Sequence, residues 1–296
     1  MILHEPVMLQ EVFEYLDVHS QGDYIDCTLG GGGYTQAILE RNSPNGRVLA
    51  LDADSQTANR TQKTLEHFGK RLTIHCGNFK DVQSIAMEKG FEGVSGIVYD
   101  LGLSTDLLAG SGRGFSFLTD EPLDMRFSSG DDGSTAADLV NGLKEQELME
   151  ILWRFGEERY GRRIAKAVCQ ARRKMRITST ASLVRVIASA VPAMYRRGKI
   201  HCATRTFQAL RIAVNDELAA LESSLKQSYQ LLSPGGRIVV VTFHSLEDRI
   251  VKQSFKQFQK EQAAVIVTKK PIQPTLRKKQ TNPKSRSAKL RCVQKG

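Results

Sequence analysis

The chain has 296 residues, with 42 lysines and arginines against 32 aspartates and glutamates, and a formal net charge of +10. Hydrophobic residues make up 41% and charged residues 25%, which excludes a wholly disordered or collagen-like chain. A run of about 18 apolar residues does not occur, so a membrane span is excluded. The first residues lack the pattern of a secretory signal, and the five cysteines form no C-x-x-C pair. We therefore expect a cytoplasmic protein without disulfides or a metal centre.

The charge is unevenly distributed along the chain. Residues 1–153 hold 11 basic and 24 acidic residues, whereas residues 154–211 hold 15 basic and 2 acidic residues. Residues 262–296 hold 10 basic residues and no acidic one. A polyanionic partner, nucleic acid above all, explains why the positive charge is concentrated in two stretches.

The first hundred residues alternate strand and helix signals. Four short apolar runs predict strands at residues 24–29, 47–52, 72–76 and 96–100. Helical segments are predicted between them, near residues 34–41, 55–68 and 79–89. Strands that alternate with helices indicate a parallel sheet with right-handed crossovers.

This alternation stops in the middle of the chain. Residues 106–143 are rich in Gly, Ser and Asp, and residues 144–231 have only helical signals. Apolar residues from Phe207 to Leu225 recur at helical spacing and predict one long helix with a single apolar stripe.

Strand signals return near the end of the chain. Apolar runs at residues 237–243 and 264–268 predict two more strands. The whole pattern predicts one α/β sheet with a helical insertion between its fourth and fifth strands. Beyond Thr268, prolines and cations predict a tail that is extended or ordered only by a partner.

A glycine-rich turn follows the first predicted strand. Asp26 lies four residues before Gly30, which opens a run of four consecutive glycines. Asp52 ends the second strand, where an acid can accept hydrogen bonds from a ribose diol. The dinucleotide fingerprint requires a third glycine where Thr35 stands, so an S-adenosylmethionine site fits better than a pyrophosphate cradle. A plain strand-to-helix turn, with glycine for packing, is the alternative.

Two further candidates follow the third and fourth predicted strands. Phe79 either covers an adenine ring or belongs to the core. Asp100 stands at the carboxyl end of its strand, where ligands gather in open sheets. Its carboxylate can touch a cofactor or accept a hydrogen bond from a target amine, and a helix N-cap is the alternative.

Later segments are candidates for substrate contact. Residues 113–117 and 122–126 mix polar and aromatic side chains, which can clasp a base or form a structural clamp between domains. Residues 159–176 carry eight lysines and arginines, which favours phosphate contact over a merely solvated face. His244, after the strand at 237–243, either orients a base or is a satisfied buried histidine.

Together these blocks resemble the bacterial RsmH (MraW) family, whose members methylate the N4 amine of a cytosine in small-subunit (16S) ribosomal RNA. The matching segments occur in order and span nearly the whole chain, at residues 30–33, 113–117, 122–126, 156–166, 201–215, 243–252 and 282–291. The strings at 203–211 and 243–249 are long and specific, so chance agreement is excluded.

The resemblance implies a fold and a division into domains. The fold is a class I (Rossmann-like) S-adenosylmethionine-dependent methyltransferase sheet with an inserted all-helical domain. We expect the methyltransferase core at residues 1–106 and 206–268, and the helical substrate-recognition domain at residues 107–205. Residues 269–296 are then a basic C-terminal tail.

The family's cofactor contacts carry over with matching residue types to Gly32, Gly33, Asp52, Phe79 and Asp100. Asp100 is also the catalytic candidate, as the acceptor for the hydrogens of the target amine.

Two more cofactor positions depart from the family pattern. Tyr34 stands where histidine is expected, and Leu107 where a polar residue such as glutamine is expected. Both remain candidates for cofactor contact through the backbone or the ring, but a side-chain hydrogen bond from Leu107 is ruled out. Substrate contacts are assigned to Arg113, Asp124, Arg126, Arg205, His244 and Ser245.

The resemblance therefore implies methyl transfer from S-adenosylmethionine to cytosine N4 in 16S ribosomal RNA, within the small ribosomal subunit. A homodimer is a further expectation, because helix-rich insertions often form interfaces. One alternative is a ribosome-assembly factor that binds RNA and retains the cofactor structurally. Another is a methyltransferase for a different amine, which leaves the two cationic stretches unexplained.

Overall fold

The computed structural model describes residues 6–108, 111–128 and 133–296. Residues 1–5, and residues 129–132 of the segment rich in Gly, Ser and Asp, lie outside the described residues. The chain divides into two compact units by its internal contacts. We call Met1–Gly102 with Leu218–Gly296 the sheet unit, and Leu103–Glu217 the helical unit.

One seven-stranded sheet, counted over the described residues, forms the centre of the sheet unit in the order β3-β2-β1-β4-β5-β7-β6. Its strands are β1 Tyr24–Asp26, β2 Val48–Asp52, β3 Leu72–Cys76, β4 Val94–Asp100, β5 Leu232–Thr242, β6 Val265–Ile266 and β7 Lys289–Gln294. Strands β1 to β5 pair in parallel, whereas β7 pairs antiparallel with both β5 and β6.

Helices cover the sheet, and they are numbered in order along the whole chain. They are α1 Leu9–Leu16, α2 Gly33–Arg41, α3 Ser55–Thr64, α4 Val82–Glu88, α12 Glu217–Leu231, α13 Ser245–Glu261 and α14 Leu276–Thr281. Alternate strand residues enter two cores, with Ile25 and Ile97 in one and Tyr24 and Val98 in the other. Both faces of the sheet are therefore buried, which explains the nearly continuous apolar runs of its parallel strands.

The helical unit follows β4 and precedes β5, so the predicted insertion in an α/β sheet is confirmed. Its helices are α5 Thr105–Leu108, α6 Ala136–Gly142, α7 Glu145–Gly156, α8 Gly161–Arg172, α9 Thr180–Ala190, α10 Ala193–Arg196 and α11 Thr204–Asn215. They share one core, to which α7 contributes Leu152, α8 contributes Ile164 and α11 contributes Leu210. Among the described residues, none of the helices combines the length and the apolar character needed to cross a membrane.

The prediction of a single long helix through residues 207–225 is wrong. Asp216 adopts a left-handed conformation, with φ at 49°, and separates α11 from α12. Phe207 before this break lies in the core of the helical unit, whereas Leu221 after it lies in a core of the sheet unit. The apolar stripe is continuous in sequence because two different cores use it in turn.

The end of the chain also differs from expectation. Strand β7 is hydrogen-bonded into the sheet, with Val293 opposite Ile238, and its Leu290 and Cys292 are fully buried. The prediction of a tail that is extended or ordered only by a partner is therefore wrong for this segment. By their internal contacts, residues 269–296 belong to the sheet unit, and residues 206–217 belong to the helical unit.

Several cations of the tail are paired within the sheet unit. Lys278 lies 2.7 Å from the Glu11 carboxylate. Arg291 and Lys289 lie 2.7 and 3.2 Å from the carboxylate of Asp248. Part of the positive charge that the sequence assigned to an external polyanion is therefore paired with carboxylates of the protein itself.

Candidate active site

The glycine-rich turn after β1 has a geometry that requires glycine. Gly30 and Gly32 have φ values of 49° and 80°, in the left-handed region that other residues avoid. A Cβ atom on Gly32 would lie 2.7 Å from the Thr61 side chain, so a larger residue does not fit. A Cβ atom on Gly31, in contrast, would meet open space within 4 Å. The turn is thus tightly packed on one side and open on the other.

Asp26 holds this turn from within the protein. Its carboxylate is fully buried and accepts hydrogen bonds from the Thr35 hydroxyl at 2.8 Å and the Thr28 amide at 3.0 Å. Burial raises the pKa of Asp26, and these hydrogen bonds oppose that rise. Thr35, which occupies the position of the third glycine in a dinucleotide fingerprint, is here a partner of Asp26.

Asp52 at the end of β2 is arranged as an acceptor. Its two carboxylate oxygens accept hydrogen bonds from the amides of Asp54, at 2.8 Å, and Gly30, at 2.9 Å. Each carboxylate oxygen can accept a second hydrogen bond, so the group can still bind a ribose diol. Burial raises the pKa of Asp52 to about 6, and the two amides partly offset that effect.

Asp100 ends β4 at the same edge of the sheet, because β1, β2 and β4 run parallel. Burial raises its pKa to about 7, and the negative charges of Asp26 and Glu247 add to the rise. One oxygen accepts a long hydrogen bond from the Gly102 amide at 3.4 Å. A half-buried carboxylate with this much unused acceptor capacity is suited to a cation or to an N–H donor.

The structure places the remaining cofactor candidates differently from one another. Phe79 opens a short 3-10 helix, half-buried, with its ring edge-on to Tyr99 at 5.7 Å. Tyr34 is 4% exposed and donates its hydroxyl to the carbonyl of Val7, so its ring belongs to the core. Leu107 lies on α5, where it packs against the core of the helical unit.

Three of the substrate candidates form a clamp inside the helical unit. The Arg126 guanidinium makes two hydrogen bonds of 2.8 Å to the Asp124 carboxylate, and these bonds lower the pKa of Asp124. Arg113 donates to the carbonyl of Phe127 at 2.7 Å. Asn215 closes the clamp, since its side chain bonds the backbone of Phe127 at 2.8 Å. The structure thus supports a clamp, and all of its residues lie within one unit.

His244 is the N-cap of α13. Its Nδ1 accepts a hydrogen bond from the Glu247 amide at 3.3 Å, and the Glu247 carboxylate accepts one from the His244 amide at 3.2 Å. The Nε2 atom lies 3.0 Å from the same carboxylate. This capping box fixes the ring at the start of α13. The buried Nε2 makes no hydrogen bond within the described residues, so the ring is only partly satisfied and both roles of His244 stay open. Ser245 follows as an exposed residue at the start of the helix.

Arg205 lies in a cleft that the sequence did not reveal. The cleft lies within the helical unit, is open to solvent and has a volume of about 250 Å³. It is lined by Arg159, Met194, Tyr195, Gly198, Lys199, Ile200, His201 and Arg205, and we call it the basic cleft. The string Arg-Arg-Gly-Lys at residues 196–199 is a signal that points to it.

The fold and these residues define a class. A parallel sheet with one antiparallel strand near its edge, a glycine turn after β1 and carboxylates after β2 and β4 define a class I methyltransferase. The chain belongs to the MraW methylase family, whose model matches residues 1–296. The resemblance seen in the sequence is thereby confirmed, and the protein is a methyltransferase that uses S-adenosylmethionine.

Similar proteins extend over almost the whole chain. A protein of Symbiobacterium thermophilum is 44% identical over 307 aligned positions, which cover 99% of this chain and 96% of that protein. Proteins of Syntrophobacter fumaroxidans and Geobacter sulfurreducens are 43% and 45% identical, cover 99% of this chain, and are themselves covered to 96% and 98%. Each of the three bears the name ribosomal RNA small subunit methyltransferase H.

Proposed function

We propose that this protein transfers a methyl group from S-adenosylmethionine to the exocyclic N4 amine of a cytosine in 16S ribosomal RNA. The observation that carries the proposal is the extent of the similarity. Relatives named for small-subunit ribosomal RNA match 99% of the chain, so the similarity includes the helical unit as well as the sheet unit. A shared cofactor fold alone would leave the substrate open.

The residues after β1, β2 and β4 fit the cofactor. We assign the backbone of Gly32 and Gly33 to cofactor contact, and Asp52 to the ribose diol. Phe79 would lie against the adenine, and Asp100 near the positive charge of the cofactor. These residues supply carboxylates and an aromatic ring, which suit a cationic ligand with a ribose and no phosphate. When bound, S-adenosylmethionine supplies a methyl group on a positively charged sulfur.

Asp100 is the group we assign to the target amine. The lone pair of cytosine N4 is conjugated with the ring, so the amine is a weak nucleophile. A carboxylate that accepts a hydrogen bond from N4 orients the lone pair. It is also the acceptor for an N4 proton, which becomes acidic as the amine attacks. A nearby positive charge favours the ionised form of Asp100, which opposes the effect of burial on its pKa.

The assigned substrate residues divide into positioning and contact roles. The bonds of Arg113, Asp124 and Arg126 hold the clamp of the helical unit together. We therefore propose that these residues keep the RNA-binding surface of that unit in shape. Arg205, with its guanidinium in the basic cleft, is assigned to RNA phosphate. His244 and Ser245 would act through the start of α13. Binding to the assembled small subunit, and dimerisation, belong to the same proposal.

The deciding experiment compares ribosomal RNA from cells with and without the gene. Nucleosides from digested 16S RNA are quantified by mass spectrometry, and we expect N4-methylcytidine to disappear when the gene is deleted. Unchanged N4-methylcytidine contradicts the proposal. Impaired assembly with that nucleoside retained would favour an assembly factor, and loss of a methyl mark elsewhere would favour another amine as substrate.

A further inference from the structure

A buried carboxylate behind the basic cleft fixes one of its lining side chains. Glu158 is 1% exposed, and its carboxylate accepts hydrogen bonds from the Tyr195 hydroxyl at 2.6 Å and the Tyr160 amide at 2.8 Å. Tyr195 is thus fixed to the segment that starts α8. Burial and the neighbouring Glu158 raise the pKa of Tyr195 to about 12, which keeps its hydroxyl protonated as the donor.

The aromatic rings in turn position a guanidinium. Arg159 lies 5.0 Å from the ring centre of Tyr160 and 4.9 Å from that of Tyr195, at distances typical of cation–π contacts. His201 stacks on Phe117, with their ring centres 4.6 Å apart. The walls of the cleft are therefore ordered by contacts inside the helical unit, before any ligand binds.

The lining combines positive charge with uncovered apolar surface. Three permanent cations, Arg159, Lys199 and Arg205, face the cleft, and among the residues described as lining it none is acidic. The one Glu158 carboxylate behind the cleft offsets only part of these three charges, so the surplus positive charge attracts an anion. Met194 and Ile200 in the same lining are 87% and 56% exposed. Such apolar contacts would not stabilise a small inorganic anion, but they would stabilise a ligand that also has an apolar or aromatic part.

We propose that the basic cleft binds one nucleotide of single-stranded RNA, with its phosphate on Lys199 and Arg205 and its base against Tyr195. A positive groove with aromatic and apolar side chains is the usual way in which proteins hold single strands. The proposal deepens the proposed function, on which it rests, because the nucleotide belongs to the RNA that is methylated. Glu158 is a positioning residue that holds the Tyr195 ring.

The first test removes charge at matched positions. Binding of labelled oligocytidylate to the full chain is measured by fluorescence anisotropy for Lys199→Ala/Arg205→Ala and for Lys256→Ala/Lys260→Ala. Lys256 and Lys260 are exposed residues of α13, outside the lining of the cleft and outside both cationic stretches, and their double variant loses the same charge. We expect the cleft variant to raise Kd by about tenfold or more. The slope of log Kd against the logarithm of the salt concentration should fall by about 0.7 for one lost phosphate contact.

The control double variant should change Kd less than about threefold. Equal weakening by both variants would overturn the proposal, because it would show that the protein attracts RNA by overall charge alone. No weakening by the cleft variant would overturn it as well.

The second test addresses the base. Tyr195→Ala should raise Kd by about fivefold to a hundredfold, whereas Tyr195→Phe, which keeps the ring, should remain within about threefold. Cytidine monophosphate should displace the RNA at lower concentration than inorganic phosphate or a polyglutamate peptide. Equal competition by phosphate would show an anion site without base contact, and equal competition by the peptide would show a site for acidic protein. Either result overturns the assignment.

Methylation assays separate this proposal from the proposed function. If both hold, wild-type protein forms N4-methylcytidine in 16S RNA, and Lys199→Ala/Arg205→Ala raises KM with kcat retained. If only the cleft assignment fails, the double variant has the wild-type KM. If the proposed function fails, wild-type protein forms no N4-methylcytidine even though the cleft variant still weakens RNA binding.

Discussion

Replacing Asp100 with asparagine should make the protein inactive and, at the same time, more stable at high pH. The structure keeps this carboxyl half-buried, with one long hydrogen bond from the Gly102 amide and the charges of Asp26 and Glu247 nearby. Such an environment disfavours the ionised form. Asparagine has nearly the same shape and carries no charge, so the variant removes the unfavourable charge with little change in packing.

The pH range of the effect follows from the pKa of Asp100. Unfolded chains lose this proton near the ordinary value of 3.8, whereas the folded chain keeps it until about pH 7. Stability therefore falls as the pH rises from about 4 to about 7, and the full cost is present above pH 7. The whole difference corresponds to about 4 kcal/mol, and partial exposure of the side chain reduces the expected cost to about 1–2 kcal/mol.

The assay is urea unfolding of wild-type protein and Asp100→Asn at pH 5 and pH 8. Asp100→Asn should gain stability relative to wild type, and the gain should be larger at pH 8. Asp124→Asn is the matched control, because the Arg126 bonds lower the pKa of Asp124 and leave it ionised at both pH values. It should lose about 1 kcal/mol at pH 5 and pH 8 alike.

Methyl transfer provides the second part of the test. Asp100→Asn should lower kcat by about a hundredfold or more, since it replaces the acceptor for the N4 hydrogens. A variant that is less stable than wild type at pH 8, or that gains nothing between pH 5 and pH 8, would show that Asp100 is not a desolvated carboxyl. Near wild-type methylation with cofactor bound would refute its role in the reaction.

Three other substitutions test separate parts of the structure. Asp52→Ala should raise the Kd for S-adenosylmethionine about tenfold or more in calorimetry, because the diol loses its acceptor, and an unchanged Kd would refute that assignment. Tyr34→Phe should cost about 1 kcal/mol in urea unfolding, through the lost bond to Val7, with kcat retained; a large loss of kcat would show that Tyr34 acts on the cofactor. Leu290→Ala in β7 should cost about 2–5 kcal/mol, since the side chain is fully buried, and a loss below about 1 kcal/mol would show a mobile tail.

Much of the sheet unit could be predicted because its signals are local. Strands β1, β2, β3 and β4 are short apolar runs, and Asp52 and Asp100 stand directly at two strand ends. The resemblance to a known family added the identity of the cofactor residues. What it could not supply was the orientation of Tyr34, whose ring turns into the core to reach Val7.

The features that sequence reasoning missed depend on contacts between distant segments. Strand β7 lies in a basic stretch that resembles a disordered tail, yet it pairs with β5, more than 40 residues earlier in the chain. The break at Asp216 is hidden because both helices beside it keep an apolar stripe. The basic cleft joins Arg159 to Lys199 and Arg205, and only the packing of the helical unit brings these cations together.

The proposed transfer of a methyl group to the N4 amine of a cytosine in small-subunit ribosomal RNA can be measured with purified protein. The most direct measurement incubates purified protein and isotope-labelled S-adenosylmethionine with 16S RNA, or small subunits, from cells that lack the gene. Mass spectrometry of the digested RNA should then show labelled N4-methylcytidine at a single position. Cofactor binding without labelled N4-methylcytidine in either substrate, or label on another nucleoside, would refute methyl transfer to cytosine N4.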